Sequence, residues 1–167
     1  IRIGRPFPNR KHPDFKKAMV LNTLFGGYFG SRLMGNIREE KGYTYGIHSY
    51  LENHLEDNAW IISTEAGKEV CKETISEIYK EMKLLRDEPV NEEELLLVKN
   101  YMMGINLGYI AGTIHLLARW KSLIINGLEE KDYYDSLRVI REITAEELQE
   151  TANNYLVPEQ FYELLVI

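Results

Sequence analysis

The chain has 167 residues, long enough to bury one ordinary core, and 44% hydrophobic against 28% charged residues is the balance of a soluble globular domain. Its net charge of -6 argues against nucleic acid as a partner, because that role gathers Lys and Arg on one face and no basic run exceeds Arg10-Lys11 or Lys16-Lys17. The single cysteine, Cys71, excludes an internal disulfide, and no apolar run reaches the length of a membrane span.

The compartment stays open between the cytosol and a bacterial periplasm. The opening "IRIG" predicts a strand that begins at the edge of the chain without a methionine, which suggests a piece of a longer polypeptide. After the turn-rich "RPFPNRKHPD", Phe15, Met19, Val20, Thr23 and Leu24 fall at helical spacing, with Asp14 as the expected N-cap. That helix should fail at Gly26-Gly27. Beyond "GGYFG", Ser31 is expected to cap a short helix running to about Glu40, which Gly42 closes in the left-handed conformation that suits glycine. "TYGIHSYLEN" and "NAWIISTEA", rich in aromatic and β-branched residues and separated by the polar "HLED", predict an antiparallel hairpin.

From Lys68 to Arg86 the apolar positions trace one face of a long helix, which makes Cys71 a buried small hydrophobe. Asn91, with Glu94 three residues later, predicts the start of a helix to about Tyr109. "AGTIHLLARWKSLIINGL" continues as a helix ended near Gly127, and "LEEKDYYDSLRVIREI" makes another. The "TAEE" of Thr144 to Glu147 is a capping box opening a helix to about Asn154; Pro158 breaks it, and "QFYELLVI" closes the chain as a strand. Few strands and many helices in this order predict one domain of the α+β class, a two-layer sandwich with a mainly antiparallel sheet and helices packed on one face.

Metal motifs are absent: the four histidines, His12, His48, His54 and His115, include no pair four apart, and neither HExxH nor HxxEH occurs. His48 and His54, with Glu52 and Glu56, form one loose group of ligand types on the predicted hairpin. The nucleophile motif GxSxG does not occur, and "GGYFGS" lacks the GK[ST] ending of a phosphate loop. What remains is Arg38 before the Gly42 turn and Tyr45 after it. Arg offers a rigid fork of donors and Tyr one more, which suits a peptide carbonyl or carboxylate. The same pair also reads as a plain corner, with Arg38 on a nearby Glu and Tyr45 packed on the core.

"NTLFGGYFGSRLMGNIREEKGYTYGIHSY" resembles a stretch of the pitrilysin/insulinase zinc metallopeptidases, including mitochondrial-processing-peptidase-like proteins. The motif reads roughly N-x-x-L-G-G-x-x-x-S-R-L-x-x-x-[IL]-R-E-x-x-G-[LY]-x-Y. "PVNEEELLLVKN" and "DYYDSLRVIREITAEELQETANNYLVPEQF" look like later parts of the same repeated domain, so the resemblance covers nearly the whole chain. It implies one C-terminal, non-zinc domain, residues 1–167, of a longer peptidase-like chain that encloses unfolded peptides. The zinc would be bound outside this chain, by an N-terminal zinc-bearing domain or a partner subunit in a homo- or heterodimer. Such proteins carry HxxEH in one lobe, and an Arg and a Tyr seven residues apart reach the substrate from the facing lobe. Arg38 and Tyr45 match that spacing, so the resemblance implies that they bind substrate. Without HxxEH the chain is not expected to hydrolyse peptides alone. The alternative it allows is a non-catalytic structural or partner subunit of the same family.

Overall fold

A computed structural model describes residues 1–55, 57–110 and 112–166. Glu56, Ala111 and Ile167, which fall within segments read above, lie outside the described residues. Four strands, β1 (Arg2–Phe7), β2 (Thr44–Asn53), β3 (Asn58–Ala66) and β4 (Tyr162–Leu164), form one sheet in the order β2-β3-β1-β4. Every pairing is antiparallel. The long helices are α1 (Phe15–Asn22), α2 (Cys71–Asp87), α3 (Glu92–Ile110), α4 (Thr113–Ile125), α5 (Glu130–Glu142) and α6 (Ala145–Tyr155). The predicted α+β sandwich is the observed fold.

Strand periodicity decides which face is covered. Along β3, Asn58, Trp60, Ile62 and Thr64 are buried while the residues between them are not, as alternation on a sheet covered on one face requires. Ile3 and Phe7 of β1 and Ile47 and Ser49 of β2 join this inner face. Against it lie Ala18 and Leu21 of α1, Ile78 and Met82 of α2, and Leu148 and Ala152 of α6, all buried in one core. The Phe7 ring sits 5.4 Å from Trp60 and 4.9 Å from Tyr155, tying sheet to helices with aromatic edges.

Several local expectations change. The first strand runs through Pro6 to Phe7, because β4 pairs only with Arg2 to Gly4 and leaves the far end of β1 with a free side, where proline is tolerated. The last strand holds three residues, Tyr162–Leu164. Asp14 does not cap α1 with its side chain; its Oδ2 accepts from the Tyr155 hydroxyl at 2.7 Å instead. Ser31 makes no cap either, since its Oγ is buried without a partner. Asn91 and Thr144 do cap, accepting from the amides of Glu94 and Glu147 at 2.8 and 3.2 Å. Cys71 is buried, as its helix face predicts.

Candidate functional site

The motif segment folds as two wide-wound helical pieces and a corner. Residues Thr23–Gly27 and Met34–Glu40 are π-helical, a rare, wide winding that occurs frequently at functional sites. The first piece lies tight against the sheet. A Cβ on Gly26 would stand 2.7 Å from the Ser49 Cβ and 2.9 Å from its amide nitrogen, so only glycine lets this backbone approach β2. Beneath it runs a polar chain: Trp60 Nε1 donates to Ser49 Oγ at 2.7 Å, and Ser49 Oγ donates to Asn22 Oδ1 at 2.7 Å. Each polar group buried there finds a partner.

The second piece is pinned from outside by charged side chains. Arg32 grips Glu94 with two parallel bonds, Nε to Oε1 at 2.8 Å and Nη2 to Oε2 at 2.9 Å. Burial alone would lower the Arg32 pKa, but the Glu94 fork together with the Glu81 and Glu88 carboxylates more than offsets it. Asn36 Nδ2 donates to Glu81 Oε1 at 2.7 Å and Glu77 Oε2 at 3.0 Å. Burial pushes the Glu81 carboxyl up, while at Glu77 burial is outweighed by the Asn36 amide and the Lys41 and Lys80 ammoniums, which hold it down. These anchors fix the helix that ends at Gly42, whose φ of 64° is the left-handed turn expected there. The Tyr43 amide then bonds back to Ile37 O at 3.0 Å and closes the corner.

Tyr45 follows on β2, and its direction is set by a bulge. Thr44 pairs with Ala66 but Ile47 pairs with Thr64, so β2 carries one extra residue between them. Thr44 holds the bulge: its Oγ1 donates to Glu65 O at 2.6 Å and accepts from Thr64 Oγ1 at 2.9 Å and from the Gly46 amide at 3.1 Å. Counting back by twos from the buried Ile47 would turn Tyr45 to the core; the extra residue turns it out. Tyr45 is fully exposed, and its hydroxyl has no partner among the described residues. Arg38 lies across the corner with its guanidinium 4.8 Å above the exposed Phe29 ring and Nη1 paired with the Glu39 carboxylate. Of the two readings of the corner, Arg38 does take the nearby Glu, whereas Tyr45 does not pack on the core. No hydrogen bond joins Arg38 to Tyr45 among the described residues.

His54 Nε2 lies 3.5 Å from Glu52 Oε1 on the exposed hairpin end, but no group of three metal-ligating side chains gathers among the described residues. Neither is any described helix long and apolar enough to cross a membrane.

Residues 1–102 match the model of the peptidase M16 inactive domain. The chain belongs to that family. An uncharacterized zinc protease of Bacillus subtilis is 27% identical over 93 residues, which cover 56% of this chain and 23% of that protein. The crystal structure of a peptidase M16 inactive domain from Pseudomonas fluorescens has a TM-score of 0.86 at 21% identity, over 96% of this chain and 38% of that one. A protease from Helicobacter pylori gives a TM-score of 0.88 at 15% identity, again over 96% of this chain and 38% of its own. The match thus spans well under half the length of these three proteins, and the two structural likenesses are likenesses of fold.

The resemblance read from the motif therefore holds at the level of family. Sequence reasoning missed the Trp60–Ser49–Asn22 chain and the Arg32–Glu94 fork. Glu94 was legible only as a helix-start acid, and nothing local signals that its partner sits 62 residues away.

Proposed function

We propose that this chain is the C-terminal, non-zinc lobe of a longer zinc-dependent endopeptidase, and that Arg38 and Tyr45 hold an unfolded peptide substrate from that lobe. Zinc in this reading belongs to an N-terminal domain or a partner subunit. The observation that carries the proposal is the exposed Tyr45 hydroxyl on a strand whose bulge is fixed by Thr44, in a chain of the M16 inactive-domain family.

An unfolded peptide offers carbonyl oxygens in search of donors, and a donor is useful only if it is released cheaply. Tyr45 gives up no partner among the described residues. Arg38 gives up an exposed ion pair of about 0–1 kcal/mol and an exposed cation–π contact of about 0.5–1 kcal/mol. The backbone beneath them is fixed by the bulge and the Gly42 turn, so both side chains start from fixed positions.

The test is cleavage of an unstructured fluorogenic peptide by the longer protein or its reconstituted halves. Zinc-bearing protein lacking residues 1–167 should cleave slowly, and adding this chain should restore the rate. Equal rates with and without the chain would overturn the proposal. A structural partner subunit remains the second reading, favoured by Leu96, Leu97, Leu107, Ile114, Leu117 and Ile124, which leave an apolar surface exposed on α3 and α4. Assembly without any cleavage, in the presence of zinc, would select it.

A further inference from the structure

A cavity of about 300 Å³ opens between α1, α4 and α5, remote in sequence from the Gly42 corner. Part of its lining is apolar, from Phe15 and Met19 on α1, Ala118 and Leu123 on α4, and Leu128 ahead of α5. Into this lining come polar groups whose charge is not balanced. Arg10 is half-buried and donates from Nη1 to Ser122 Oγ at 2.8 Å, but no carboxylate pairs with it among the described residues.

The nearby acids are committed elsewhere. Asp132 accepts from the Glu129 amide at 2.9 Å and from Lys16 Nζ at 3.5 Å. Asp135 takes Arg138 at 2.8 Å and Lys16 at 3.7 Å. Burial accordingly lowers the Arg10 pKa with no anion to oppose it. In the same wall the Tyr133 hydroxyl is buried without a hydrogen-bond partner, its ring lying 4.0 Å beneath the Arg119 guanidinium. A half-buried cation without a counter-ion and an orphaned hydroxyl are both costly in a folded chain, and an anion that reached both would relieve both costs.

We infer that this cavity binds a small carboxylate bearing an apolar tail, the carboxylate meeting Arg10 and Tyr133 and the tail lying on Phe15, Met19 and Leu123. Among the described lining residues Lys16 shares Asp132 while Arg10 has no carboxylate, a balance that suits a monoanion, and the apolar part of the lining disfavours a bare, strongly hydrated one. Cavities of this size sit at the small end of ligand sites, on the order of 300–1,000 Å³, so the ligand is a short one. The shared chemistry covers two sources, a free short-chain acid and the C-terminal carboxylate of an apolar residue, and each has its own probe below. The inference is independent of the peptide-holding corner, since it uses none of its residues.

The experiment is titration calorimetry on the 167-residue chain with hexanoate for the free acid and N-acetylleucine for the peptide terminus. Hexanol, N-acetylleucinamide and inorganic phosphate serve as controls. Saturable binding of at least one of the two acids, and of no control to the same degree, is the expected result. Arg10→Leu should weaken that binding about tenfold or more, the size of a lost hydrogen bond to a charged group. Tyr133→Phe guards against simple misfolding: it should leave the unliganded melting temperature unchanged or raised, because it removes an unpaired buried hydroxyl, and yet weaken binding several-fold. Failure of both acids to saturate, equal binding of hexanol or phosphate, or binding untouched by both substitutions would overturn the inference.

Discussion

The Gly42 corner and the α1–α4–α5 cavity hold the same pair of groups, a guanidinium and a phenol, in opposite ways. At the corner, Tyr45 stands fully in solvent and Arg38 rests on the exposed Phe29, while the backbone below is fixed by the bulge and the left-handed glycine. In the cavity, the Tyr133 hydroxyl is buried without a partner and Arg10 has lost much of its water. The difference concerns where the cost of binding falls. Exposed donors are solvated until a ligand displaces their water, so they add little to stability and keep their full capacity for an incoming carbonyl. Buried donors have already lost solvation, so a ligand relieves a cost that the free chain carries.

That contrast predicts a gradient at the corner, from a floor that supports the fold to a rim that does not. Trp60→Ala should be the most damaging change, removing a fully buried ring and the donor to Ser49, at a cost of about 3–5 kcal/mol in urea unfolding. Gly26→Ala should follow at about 1–3 kcal/mol, because its Cβ meets Ser49 at 2.7 Å and the sheet must shift. Gly42→Ala should cost about 1–2 kcal/mol through the left-handed φ alone, since open space surrounds its Cα. At the rim, Arg38→Ala and Tyr45→Phe should each change the unfolding free energy by no more than about 0.5 kcal/mol. If the rim substitutions unfold the chain as readily as the floor ones, the contrast with the cavity is lost and the corner is a structural joint.

Much of the molecule was legible in the sequence, and the misses have common causes. The β2–β3 hairpin emerged with its observed bounds because strand composition changes abruptly at "HLED". Gly42 and Thr144 emerged because a left-handed turn and a capping box each demand particular residues at fixed offsets. Asp14 and Ser31 misled because a capping residue type is only an opportunity for a cap: Ser31 is buried with its hydroxyl unpartnered, and the partly exposed Asp14 serves the Tyr155 hydroxyl across 141 positions, a partner that no local window contains. Tyr45 is the instructive case at the candidate site. Alternation from Ile47 assigns it to the core, and the bulge that reverses this depends on Thr44 meeting Thr64 and Glu65 on the neighbouring strand. Motif spacing pointed to Tyr45 and Arg38, but only the register explains why the tyrosine is available.

The most direct test of the central claim is a double-mutant cycle on peptide cleavage by the longer zinc-containing protein, using wild type, Arg38→Ala, Tyr45→Phe and the pair. If both donors grip the substrate, each single change should lower kcat/KM by roughly ten- to a hundredfold, the size of a lost hydrogen bond involving a charged group, with the unfolding free energy of the domain unaltered. Cleavage at the wild-type rate in all three variants, with the domain folded, would contradict the account and leave the corner as a piece of architecture.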